Sequence, residues 1–123
     1  MLYFFGGFSV IFHIWAFFLE SIFFMNPKVY KLFGIRSTED ARIVKLIAFN
    51  QGFYNLFLAF VLLVGLFLTT HPDQNMLGTG LVIGATSCMI GAGIILIISK
   101  PDAWYAGLTQ SIPPMITMIS LFL

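Results

Sequence analysis

Glu20 holds the most chemistry of any residue in this sequence. It is a carboxyl set in the apolar stretch "FHIWAFFLESIFF", seven positions after His13. A carboxylate inside a membrane-crossing segment costs on the order of 3 kcal/mol by insertion scales, which makes a functional site the default reading. The plainer reading is a side chain that snorkels to a nearby interface. Placed among amides, such an acid can serve as general acid or base, or as a proton shuttle. His13 is the candidate second proton carrier. Seven helical residues, about 10 Å, separate it from Glu20, so joint action requires a bridging water, amide or ligand.

A second group of polar residues lies in "AFNQGFYNLFLAF", where Asn50, Gln51, Tyr54 and Asn55 interrupt an otherwise apolar run. At about 100° per helical residue, Tyr54, Gln51 and Asn55 fall about 40°, 100° and 140° from Asn50, a single polar face, with Lys45 nearly opposite and free to snorkel. These amides either bind helices together, at about 0.6 kcal/mol per bond, or line a ligand pocket. So many amides in one layer favour the pocket. The third contribution is Gln110 in "TQSIPPM". Pro113 and Pro114 lack the amide hydrogens that would bond the carbonyls of Thr109 and Gln110, so a structural kink is expected that leaves acceptors beside Gln110.

The elements that must position these groups are helices. The chain has 123 residues, of which 59% are hydrophobic and 9% charged, with 15 phenylalanines. Soluble domains carry about 25% charged residues. Four apolar stretches, residues 2–25, 43–68, 76–99 and 104–123, each approach the roughly 20 residues that cross a bilayer as a helix, and they lack the alternation of barrel strands. The expected fold is all-α, an integral membrane four-helix bundle in a single transmembrane domain over 1–123, with a basic cytoplasmic loop at 26–42. The N-terminus lacks a basic n-region and a small-residue cleavage site, so the first stretch reads as a retained span.

Lys28, Lys31, Arg36, Arg42 and Lys45 flank the first two stretches and Lys100 lies between the last two, which predicts that these connections are cytoplasmic and both termini outside. Counted inward from that side at about 1.5 Å per residue, Glu20, Gln110, Asn50 and Gln51 lie about 7 to 12 Å deep, and Tyr54, Asn55 and His13 about 16 to 18 Å. Three helices thus place polar groups in the inner leaflet. The net charge of +1 leaves no nucleic-acid footprint, and the basic loop suits anionic membrane lipids. Cys88 is the only cysteine, so no internal disulfide forms. His71 sits in the turn "HPDQN", and neither a metal-ligand cluster nor a phosphate loop, dinucleotide fingerprint or nucleophile elbow is present, so no metal or cofactor is expected.

Local signals add detail. Ser37 is expected to cap the second helix, with Glu39 and Asp40 in its first turn, and Asp102 to cap the fourth. Gly80, Gly84, Cys88 and Ala92 recur at four-residue spacing, a stripe expected to allow close helix packing.

The residues His13 and Glu20, the block "AFNQGFYNLFLAF", and Gln110 with Pro113 resemble a family of small, mostly bacterial membrane proteins known as domain of unknown function thirteen-oh-four. In that family a His and Glu pair precedes a basic loop, an "NQG.YN.FLA" signature opens the second span and a "Q..P" element lies in the last. Leu56 stands where a glycine is usual and Pro114 where a small residue is usual. The resemblance implies a four-span protein of the bacterial inner membrane and no particular activity.

Three functional classes are open. The leading expectation is a polar pocket for a small lipophilic molecule, with Asn50, Gln51, Tyr54, Asn55 and Gln110 recognising its polar end. Should it be an enzyme, proton transfer by Glu20, assisted by His13, as in an isomerase or cyclase, is the chemistry its residues best support. A homo-oligomer forming a proton or solute pathway is the second class, and an accessory membrane subunit without catalysis the third.

Overall fold

The computed structural model describes all residues from 1 to 123 and contains no strand. Five α-helices follow in order: α1 Leu2–Phe17, α2 Pro27–Leu32, α3 Thr38–Leu68, α4 Asn75–Ser99 and α5 Trp104–Ile119. A wider π turn, Phe18–Ile22, prolongs α1, and short 3-10 turns at Pro72–Gln74 and Pro101–Ala103 lead into α4 and α5. Three of the helical segments, Leu2–Ile22, Thr38–Leu68 and Pro72–Ser99, are long and apolar enough to cross a membrane. Helix α5, with 16 residues, is not among them. Large apolar side chains such as Ile43, Leu46 and Ile47 are exposed, the reverse of a soluble protein surface.

The chain divides into two compact units. One comprises residues 1–12 and 58–123. Here α4 packs on α5 at closest range where Gly93 meets Gly107: a Cβ on Gly93 would lie 2.7 Å from the Gly107 carbonyl oxygen and collide with Ser111 Oγ. Ser111 Oγ also donates to the Ile90 carbonyl, 3.2 Å away. The buried face of α4 runs through Gly78, Val82, Ala85, Thr86, Met89 and Gly93. This corrects the expected packing stripe, because Gly80, Gly84, Cys88 and Ala92 are exposed and a Cβ on Gly80 or Gly84 would meet nothing. Four-residue spacing identifies a stripe but not the side on which a neighbour lies. Helix α5 continues through Pro113 and Pro114, both buried, and Thr117 Oγ1 donates to the Pro113 carbonyl at 2.8 Å. Asp102 lies in the 3-10 turn and does not cap α5; the position before that helix is Ala103, which has no capping side chain.

The other unit comprises residues 13–57. The expected basic loop contains α2, whose ends are spelled out in "NPKVYKLFGI". Asn26 caps the N-terminus by accepting from Lys28 N–H at 2.9 Å, and Pro27 occupies the first turn, where its missing N–H costs nothing. Gly34, at φ 81°, ends the helix: its N–H bonds the Lys31 carbonyl and the Ile35 N–H bonds that of Tyr30. These two bonds form a Schellman motif, and Ile35 closes it by packing against the Tyr30 cluster. As expected, Ser37 caps α3, its Oγ accepting from Asp40 N–H at 3.0 Å and donating to the Asp40 carboxylate at 2.7 Å. The small core of this unit is Phe24, Tyr30 and Ala41, with Val44 and Ala48 packed against it.

Candidate functional site

Glu20 sits at the middle of the π turn, where Phe23 N–H bonds the Phe18 carbonyl at 2.8 Å, five residues back. Such single wide turns are frequent at functional sites. Two features hold this one against α3. Gly52 has no side chain, and a Cβ there would strike Ser21 Oγ and lie 3.1 Å from both Glu20 Cβ and the Phe17 carbonyl oxygen. Ser21 Oγ in turn donates to the Phe49 carbonyl at 2.8 Å, a bond between elements 28 positions apart. With the backbones this close, Asn55 reaches across: its Nδ2 donates to Glu20 Oε2 at 2.8 Å. The edge-to-face pair of Phe17 and Phe53, with centroids 5.1 Å apart, packs beside it.

Next to this pair lies a groove of about 290 Å³, open on one side. Glu20 and Gln51 are its polar lining residues, and Phe24, Ile35, Val44 and Ala48 are among its apolar walls. The site is therefore an acid and an amide at the edge of an apolar cleft, with one carboxylate oxygen engaged by Asn55.

The polar face of α3 is divided. Counted from Gly52, the point of closest approach, Ala48, Asn55, Val44 and Gln51 fall about 40° to 100° away, whereas Asn50 and Tyr54 are each about 160° away. Asn55 is accordingly buried and Gln51 lines the groove. Asn50 is exposed and its amide donates to the Leu46 carbonyl of its own helix at 2.8 Å. Tyr54, expected with them to contact a ligand, is 62% exposed and does not line the groove. His13 is buried, two helical turns before Glu20. Gln110, Pro113 and Pro114 belong to the other unit.

Ser21, Gly52, Phe24 and α2 were not among the expected site components. Two of them left a signal: a glycine inside a span, "NQGFYN", marks a close backbone approach, and a hydroxyl beside an intramembrane acid is a ready crosslink.

A family model covers these residues. The model for "Protein of unknown function (DUF1304)" matches residues 7–122. The chain belongs to this family. The match encloses His13, Glu20, the whole "AFNQGFYNLFLAF" block and the "TQSIPPM" segment. No curated protein and no solved structure matches the chain.

Proposed function

We propose that this DUF1304 protein is a four-helix integral protein of the cell membrane that holds a small lipophilic molecule in an intramembrane cleft near the cytoplasmic leaflet. Proton transfer by Glu20 is the chemistry that cleft would perform. The observation that carries the reading is the groove beside the Glu20 and Asn55 pair, in which an acid fixed by an amide borders apolar walls. A carboxyl at such a depth is costly unless partnered, and a purely structural role would not require an open cleft next to it. Asn55 orients the carboxyl, Gln51 is the second polar contact, and the phenylalanine and aliphatic walls take up hydrocarbon. Basic residues at 28, 31, 36, 42 and 45 support a cytoplasmic position for this end of the unit under the positive-inside rule.

Mass spectrometry of protein extracted from its own membrane tests the reading. A lipophilic molecule is expected to copurify with the natural chain and to be lost in Ala48→Trp, which fills the groove, with thermal unfolding of both preparations measured to establish that the variant is folded. Identical small-molecule contents would overturn the pocket. Proton transfer is tested separately: after incubation in heavy water the molecule is expected to carry deuterium on carbon, and Glu20→Gln to abolish that exchange. Equal exchange in the variant would remove Glu20 from the chemistry.

A further inference from the structure

The groove has a sign, and the sign selects its occupant. Its lining includes one carboxyl and one primary amide but no lysine, arginine or histidine. The five basic residues of this unit, Lys28, Lys31, Arg36, Arg42 and Lys45, are all exposed and none is among the lining residues. An anionic head would therefore meet an acid with no compensating cation, an arrangement that discriminates strongly in a poorly solvated site. The hydrogen-bonding inventory points the same way. Asn55 donates to Glu20 Oε2, so that oxygen acts as acceptor, and in the ionised carboxylate Oε1 is left to take a hydrogen from another group. The hydroxyl of Ser21 is committed to the Phe49 carbonyl and the amide of Asn50 to that of Leu46.

Size bounds the remainder. A volume of about 290 Å³ holds about ten water-sized groups, at roughly 30 Å³ each. That accommodates a small head and a short length of chain, and the open side lets a longer chain continue outwards. Five of the walls, Phe24, Phe33, Ile35, Val44 and Ile47, are bulky and apolar, which suits hydrocarbon next to the head.

We propose that the groove takes a single-chain lipophilic molecule whose head is a hydrogen-bond donor, a hydroxyl or an ammonium, with Glu20 accepting from the head and Gln51 supplying the second contact. The inference rests on the pocket reading above and adds the chemical class of its ligand. Fatty carboxylates and alkyl phosphates, whose heads carry only negative charge, are disfavoured by the same acid.

The experiment uses the full chain in phosphatidylcholine vesicles and four photoreactive diazirine probes of one alkyl chain, headed by a primary amine, a hydroxyl, a carboxylate or a phosphate. Labelled residues are located by peptide mass spectrometry. The amine and hydroxyl probes are expected to label the groove walls on the order of tenfold more than the anionic pair, and Ala48→Trp to abolish that labelling. Glu20→Gln is expected to remove the advantage of the amine over the anionic probes. Gln51→Lys, at an exposed position, supplies a cation and is expected to shift labelling towards the carboxylate probe, which keeps the test decisive if the Glu20 variant fails to fold. Labelling of the groove by the carboxylate or phosphate probe as strong as by the amine overturns the head-group assignment but leaves the pocket standing. Absence of groove labelling by all four probes overturns both.

Discussion

The hydrogen bond between Glu20 and Asn55 explains most about the candidate site because it decides what the carboxyl can do. A carboxyl without a partner in an apolar surround is among the most expensive groups a helix can carry. Donation from Asn55 offsets part of that cost and fixes the orientation of the carboxyl. The two side chains should therefore be energetically coupled. A double-mutant cycle with Glu20→Gln and Asn55→Leu, read by unfolding in detergent, is expected to give a coupling of about 0.6 to 1.7 kcal/mol, the range of interhelical polar contacts in membrane proteins. A coupling of zero would mean that the 2.8 Å contact does not hold the acid in place. The residues around it fall into roles by what they touch: Ser21 ties the π turn to α3, Gln51 lines the cleft, and Tyr54 does neither.

At the scale of elements, glycines set how closely helices approach, and the burden is unequal among them. Gly93 on α4 meets the Gly107 carbonyl and Ser111 on α5, so Gly93→Ala inserts a methyl against backbone that cannot swing aside. Overpacking of this kind costs about 1 to 3 kcal/mol. Gly84→Ala, on the exposed side of the same helix, meets nothing and gains helix propensity of up to about 1 kcal/mol. Parallel unfolding measurements on the two variants are expected to move in opposite directions. A common loss would show that the exposed stripe of α4 is packed after all. Helix α2 adds a further lesson, since its capping asparagine, first-turn proline and terminal glycine were all visible in "NPKVYKLFGI" while its six residues are too few for any periodicity to reveal.

On the scale of the whole molecule, the chemistry that matters is the sidedness of the charge. Lysine and arginine gather between the first two long helices, in the first turns of α3 and just after α4, while the turn at Pro72–Gln74 has none. If the long helices cross a membrane with the basic segments inside, Lys31→Cys in a Cys88→Ser background is expected to react with an impermeant maleimide only after the cytoplasmic side is opened. Asp73→Cys in the same background is expected to react from outside in intact cells. Reversed labelling would place the groove in the opposite leaflet without altering its internal geometry.

The helical class, the apolar character of the long segments, the Ser37 cap and the presence of Glu20 and Asn55 as polar groups within apolar helices were all legible in the amino-acid sequence, because each depends on local composition or on spacing along one helix. What spacing alone could not decide is which sector of a helix faces a neighbour. Asn50, Gln51, Tyr54 and Asn55 span about 140° of α3, and the close approach at Gly52 admits only Asn55 to Glu20 and only Gln51 to the groove. The same holds for α4, where the small-residue row through Gly80 and Gly84 is exposed and packing selects the face through Gly93. A helix of uniformly apolar residues gives little preference of its own for one orientation, so contact between backbones makes the choice.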